Sequence, residues 1–143
     1  MDEPIAYTKE GRPLFDNTPT VVCMIAKVAH GAYVAVRRNN EPGRGLLGLP
    51  GGYHMRGETW QQAGCREVFE ETGYTVEPES VNLVSVDTDE YGNNLIIASG
   101  RIVGFNEMPI PDEIQEVLVL SNAGSPTDWA FPRHLTAVKT HFK

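Results

Sequence analysis

"GYHMRGETWQQAGCREVFEETGY", residues 52 to 74, decides the reading of this chain. Within it, residues 59–72 predict a helix. Thr59 followed by Gln62 has the form of a capping box. Cys65, Val68, Phe69 and Thr72 recur at i, i+3, i+4 and i+7, which predicts one buried stripe. Gly73 stands where a left-handed C-terminal cap belongs. On such a helix Glu67, Glu70 and Glu71 share a second face, away from the stripe. Like charges at this spacing destabilise a helix by roughly a few tenths of a kcal/mol per pair. Glu70 and Glu71 also occupy the last turn, where the helix dipole disfavours anions. A divalent cation would remove both penalties, and oxygen donors at this density suit Mg²⁺, with Mn²⁺ as the alternative ion. A solvated acidic face has the same composition, so the surroundings must decide. "LPGG" at 49–52 lets backbone approach a ligand closely and offers carbonyl donors. Glu58 precedes the helix, and Arg66 can brace a carboxylate or meet a phosphate.

Outward from the helix, residues 1–19 are rich in Pro, Gly and charge and are expected to be irregular. "TVVCMIAKV" (20–28) reads as a buried strand and "AYVAVRR" (32–38) as an alternating one, with the turn signal "HG" between them. "NNEPGRG" (39–45) is a loop, and 46–58 holds too much glycine and proline to be regular throughout. Strands are predicted at 81–89, 94–105 and 114–120, with "YGNN" (91–94) as a hairpin turn. A second helix is predicted at 131–142, with Pro132 in its first turn. Strands mixed with two helices predict an α/β or α+β sandwich, and 143 residues without repeat or linker predict one domain.

The chain carries 12 basic and 19 acidic residues, a net charge of −7. That balance argues against a general nucleic-acid coat, which needs a basic face. A small phosphorylated ligand stays admissible if metal ions carry the positive charge. Cys23 and Cys65 form no C-x-x-C pair and read as buried, reduced thiols. No apolar run reaches the ~18 residues that span a bilayer, and the polar, acidic N-terminus does not read as a signal peptide. The expectation is a cytoplasmic, membrane-free protein.

The quoted stretch resembles the signature of the Nudix hydrolases, G-x5-E-x7-R-E-U-x-E-E-x-G-U, where U is bulky and apolar. Gly52, Glu58, Arg66, Glu67, Val68, Glu70, Glu71 and Gly73 fall in register, and Tyr74 stands where an aliphatic residue is usual. "NTPTVV", "EPGRGLLGLPGG" and "WAFPRHLTAV" are similar to a bacterial subgroup of ADP-ribose and NADH pyrophosphatase-like members. No cysteine precedes Cys23, so the zinc ribbon of that subgroup is not expected. Leu47 stands where the subgroup often has Trp.

The resemblance implies an α/β/α sandwich with a mixed β-sheet spanning residues 1–143. It implies hydrolysis of a nucleoside diphosphate linked to a moiety X, such as ADP-ribose, a nucleotide sugar or a dinucleotide. Glu67, Glu70 and Glu71 would ligate Mg²⁺, with the Gly52 carbonyl as a further ligand. Arg66 would orient a glutamate, and Glu58 would support the loop or the second metal shell. The proton acceptor would be Glu67 or Glu70, or else Glu113 or Glu116 in "PDEIQEV", with Asp112 behind them. Homodimers are common in the family, so a homodimer is admitted.

Arg37, Arg38 and Arg44 could each meet a phosphate. Strand alternation sends Arg37 and Arg38 to opposite faces, so at most one of them faces the site. Trp60 could stack on a base but reads better as packing at the rim. Trp129 and Phe131 divide between core anchors and a base clamp, His54 reads as exposed, and Tyr91 at a hairpin tip is undecided. Three other functions compete: pyrophosphohydrolysis of (deoxy)nucleoside triphosphates, processing of RNA 5′ ends, and a nucleotide-sensing domain without catalysis. No signature glutamate is lost, which argues against the last.

Overall fold

The computed structural model describes residues 1–142. The N-terminal segment, expected to be irregular, holds a small hairpin of β1 (Ala6–Tyr7) and β2 (Pro13–Leu14) that forms its own two-stranded sheet. Pairings this short carry little apolar patterning, so a sequence scan passes over them.

The core begins at β3 (Thr20–Lys27). Cys23 and Ile25 point to one side of the strand, Met24 and Ala26 to the other, and all four are buried. A strand buried on both faces needs a covering layer on each. β3 runs parallel to β9 (Asn94–Phe105) over its full length. β4 (Tyr33–Arg38) follows β3 through a tight turn, and β10 (Ile114–Leu120) lies antiparallel along β4. β7 (Tyr74–Val76) and β8 (Asn82–Thr88) both pair antiparallel with β9. The sheet is therefore mixed, as expected, in the order β10-β4-β3-β9-β7. β7 was not foreseen; three residues directly after a helix cap give no periodicity to read.

Helix α1 (Trp60–Thr72) covers one face through Val68, against Met24, Ala26, Val34, Val76 and Ala98. Helix α2 (Pro132–His141) covers the other through Leu135, Ala137 and Val138, against Cys23, Ile25, Tyr33 and Ile97. This is the helix–sheet–helix sandwich. No helix among the described residues is long and apolar enough to cross a membrane.

The glycine-rich segment explains how the site is built into this frame. β3 and β4 pair only at Lys27 and Tyr33 and then diverge. The fork between them is filled by β5 (Leu47–Gly48), paired with β4, and β6 (Gly51–Tyr53), paired with β3. The Met24 amide donates to the Pro50 carbonyl at 2.9 Å, locking the insertion. A Cβ at Gly51 would press into the backbone of Val22 and Cys23, so glycine is required there. The fork carries Gly51 and Gly52 into the middle of the sheet, beside α1.

Candidate active site

α1 is terminated at both ends as its sequence predicts. The Thr59 side chain accepts from the Gln62 amide at 3.1 Å, and the Gln62 side chain accepts from the Thr59 amide at 2.8 Å. Gly73 adopts φ 80° and its N–H returns to the Phe69 carbonyl. The buried stripe differs from the expected one. Ala63, Gly64, Val68 and Thr72 are buried, whereas Phe69 is 39% exposed and Cys65 only partly covered. The reason is close approach: a Cβ at Gly64 would stand 2.7 Å from Met24 Cε and 3.1 Å from Val22 Cγ1. The helix leans on β3 through its smallest residues, and the rotation carries Phe69 off the sheet.

That orientation aims the acidic face along the fork. Arg66 is the organiser. Its Nε and Nη2 donate to both oxygens of Glu58, at 2.9 and 2.8 Å. Its Nη1 donates to Glu67 at 2.9 Å and Glu70 at 3.2 Å, and Nη2 also reaches the Tyr53 carbonyl at 3.0 Å. Only a planar guanidinium can serve this many acceptors at once. The Arg66 bonds, aided by the Met55 amide, hold the Glu58 carboxyl down at about 2. Glu58 and Glu67 in turn raise the guanidinium further. Burial raises Glu67, and Arg66 offsets part of that rise.

Glu71 lacks such a partner. Burial, then the neighbouring charge of Glu67, push its carboxyl up to about 8, against the pull of the Gly51 amide. Glu113, reached from the loop before β10, and Arg38 act on the same carboxylate from across the cleft. Glu67, Glu71, Arg66, Glu113, Arg38 and Gly52 line one cavity of about 470 Å³. Among the described residues no three acidic, imidazole or thiol side chains converge as a preformed cage, because Arg66 engages Glu67 and Glu70. The chemistry of the donors nonetheless fits a hard divalent ion: they are all oxygens, and Glu71 has no basic side chain bonded to it, so a bound cation would favour its ionised form. A Cβ at Gly52 would stand 2.6 Å from the Glu67 carboxylate, so glycine leaves that carboxylate its room.

The structure separates the other sequence-predicted residues. Arg37 lies opposite Glu116 in the β4–β10 register and bonds it at 2.7 Å, with a second bond to the Gly45 carbonyl. Neither Arg37 nor Glu116 lines the cleft. Arg44 is exposed in its loop, bonded to Asn39 at 3.3 Å. Arg38 is the arginine of the pair that turns to the cleft. The cross-strand partner of Arg37 was the decisive fact, and register is invisible in one sequence. Trp60 packs against the Met24 cluster, and Trp129 is a core anchor whose Nε1 donates to the Ala123 carbonyl at 2.7 Å. His54 is half-buried rather than exposed, and bonds the Glu58 carbonyl at 2.7 Å.

Sequence reasoning did not anticipate a second cavity, of about 420 Å³, on the α2 side of the fork. It lies between the β8–β9 turn and the start of α2, and Arg38, Gly51 and Gly52 line both spaces. Its floor is apolar, from Val21, Cys23, Leu49 and Leu95. Phe131 stands in its wall with the Arg38 guanidinium 4.8 Å above the ring, and Tyr91 meets Phe131 edge-on at 6.4 Å.

The family model described as "NUDIX domain" matches residues 16–136. An ADP-ribose pyrophosphatase of Methanocaldococcus jannaschii is 35% identical over 83 residues, 57% of this chain. The chain spans about half the length of that relative, 49%. A NUDIX hydrolase structure from Nitrosomonas europaea superposes with TM-score 0.78 at 22% identity, covering 94% of this chain and 76% of its own. A bifunctional NMN adenylyltransferase/ADP ribose pyrophosphatase from Francisella tularensis, complexed with AMP and Mn, superposes with TM-score 0.64 at 24% identity; the match covers 90% of this chain and 43% of that one.

Proposed function

This chain belongs to the Nudix family, and from that premise we propose that it is a divalent-metal-dependent pyrophosphohydrolase. It cleaves a nucleoside diphosphate linked to a moiety X into a nucleoside monophosphate and phosphorylated X. The observation that carries the reading is Arg66 gathering Glu58, Glu67 and Glu70 while Glu71, with no basic partner bonded to it, faces the cleft that Arg66 and Glu67 line. The relative called ADP-ribose pyrophosphatase supports ADP-ribose as the first substrate to try. The proposal extends to one domain over the whole chain and to a cytoplasmic setting.

Glu67, Glu70, Glu71 and the Gly52 carbonyl would hold Mg²⁺, with Mn²⁺ as the substitute. When bound, such an ion neutralises phosphate charge and acidifies water. The chain's own residues do the rest. Arg66 sets the orientation of Glu67 and Glu70 and is itself fixed by Glu58. Arg38 meets a phosphate oxygen at the junction of the two cavities. Water attacks phosphorus, the anhydride P–O bond breaks, and the water proton passes to a carboxylate. Glu113 faces the cleft from the side opposite α1 and is the acceptor proposed here; Glu116 is tied to Arg37.

The test is phosphate release, coupled to a phosphatase, over ADP-ribose, NADH, diadenosine polyphosphates, nucleotide sugars and triphosphates, with and without Mg²⁺. Magnesium-dependent turnover of a diphosphate-linked substrate is expected. Glu70→Gln and Glu71→Gln should lower turnover by about two orders of magnitude or more while the protein stays folded. Full activity in either variant would overturn the metal assignment.

A further inference from the structure

β4 ends at Arg38, and the next residue, Asn39, ties neighbouring segments together. Its backbone N–H donates to the Glu113 carbonyl at 2.9 Å, which extends the β4–β10 ladder beyond the Arg38–Ile114 pair. Its Nδ2 donates to the Asp112 carbonyl at 2.7 Å. Its Oδ1 accepts from Gln115 Nε2 and from Arg44 Nη1, each at 3.3 Å. Asn39 is half-buried, whereas Asp112, Glu113 and Gln115 are exposed. Residues this exposed bury too little surface for packing to fix a turn, so hydrogen bonds set its conformation. A carboxamide presents a donor and an acceptor together, and an ionised aspartate presents no donor.

Where that turn sits decides where Glu113 points. The β4–β10 register runs from Ile114 opposite Arg38 to Glu116 opposite Arg37, so Gln115 is an extra residue in the strand. Such a bulge re-aims the side chains around it. Glu113 lies before the bulge and lines the cleft with Glu67 and Glu71. Glu116 lies after it and bonds Arg37 outside the cleft. Asn39 grips the chain on both sides of this change, at the Asp112 and Glu113 carbonyls and at the Gln115 side chain. Asn39 does not itself line the cleft, so its influence there runs through the turn that it holds. Arg44, which does not reach the cleft either, steadies Asn39 from the loop that follows it.

We infer that Asn39 is a positioning residue for Glu113: its carboxamide holds the 111–115 turn so that the Glu113 carboxylate faces Glu67 and Glu71 across the cleft. The inference rests on Glu113 being the proton acceptor proposed above, and a double-mutant cycle separates the two. Glu113→Gln should lower kcat about a hundredfold. Asn39→Ala should lower kcat about tenfold, with KM within about twofold, because it displaces the acceptor without touching substrate. In the Glu113→Gln background Asn39→Ala should change kcat by less than about twofold, since no acceptor is left to misplace. A merely structural role would give the same loss in both backgrounds. Asn39→Asp keeps the acceptor for Arg44 and Gln115 and removes the donor to Asp112, so it should match Asn39→Ala; it also stands in if the alanine variant misfolds. Native kcat in Asn39→Asp, or equal losses in the two backgrounds, overturns the inference and leaves Glu113 as acceptor. Native kcat in Glu113→Gln sinks the acceptor and this inference with it, while metal-dependent hydrolysis stands. Hydrogen exchange on the metal-free protein reads the clamp without turnover. The Ile114 amide, which donates to the Pro111 carbonyl inside the turn, should be protected in the native protein and exchange about tenfold faster in Asn39→Asp. An unprotected native amide, or equal rates in the variant, refutes the clamp whether or not any substrate is hydrolysed.

Discussion

Gly52→Ala isolates the contribution of carboxylate placement. Gly52 has no positive-φ requirement, so its backbone accepts alanine. The added methyl would sit 2.6 Å from Glu67 Cδ and Oε1 and 2.7 Å from Oε2, where ordinary contact begins at 3.4 Å. The methyl's three nearest neighbours all belong to the end of one flexible side chain. Glu67 would therefore retreat by about 0.8 Å while the sheet stays in place. A displacement near 1 Å costs roughly a hundredfold in rate when the displaced group positions the chemistry, equivalent to about 3 kcal/mol in activation free energy. The matched control is Gly51→Ala, whose methyl would meet the Val22 and Cys23 backbone and should unfold or strongly destabilise the protein. The assay is kcat for the best substrate at saturating Mg²⁺, with the melting temperature beside it. The expected result is a loss of roughly a hundredfold in kcat with Tm lowered by only a few degrees. Activity within twofold of native would refute the reasoning, because it would mean that the Glu67 carboxylate need not stand where it does.

Arg66→Lys keeps the charge but loses the fork that holds Glu58 at both oxygens. It should destabilise by about 2 kcal/mol, since each charged hydrogen bond contributes roughly 1.5–3 and lysine can replace only some of them, and denaturant unfolding reads the change. Arg38→Ala should raise KM about tenfold, the worth of one charged phosphate contact, while Arg37→Ala, whose partner is Glu116, should leave KM and kcat within twofold; the reverse pattern would reassign the phosphate contact. His134, depressed to about 4 from 6.5, folds as the neutral ring. The unfolded chain binds the proton first as pH falls, so stability is full above pH 6.5 and declines between 6.5 and 4. The loss is about 3 kcal/mol, and comparing the pH slope of unfolding free energy in native protein and His134→Asn measures it.

Much of the frame was legible because it rests on local rules. The capping box at Thr59, the cap at Gly73 and the apolar runs of β3, β4, β9 and β10 each announce themselves within a few residues. The short pairings β1–β2, β5, β6 and β7 did not, because two or three residues carry too little apolar patterning to read. The expected burial of Phe69 failed for a related reason. Periodicity identifies a stripe, but the glycine at 64 lets β3 come closer than the stripe would permit, and that approach rotates the helix.

The site divides along the same line. By itself, the sequence determined which residues share the acidic face of α1, since helical geometry converts spacing into proximity without help from the fold. The spacing of Glu58, Arg66, Glu67, Glu70 and Glu71, taken with the "LPGG" stretch before them, pointed to metal and phosphate chemistry. Only the tertiary structure decided which arginine lines the acidic cleft, which of Glu113 and Glu116 lines it, and that a second pocket lies beyond Arg38. Those outcomes depend on strand register, on a fork in the sheet filled by a glycine-rich segment, and on the Leu49 amide that fixes the tautomer of a histidine 85 residues away. Each is a contact between distant parts of the chain, and it exists only once the hydrophobic layers have set the strands side by side.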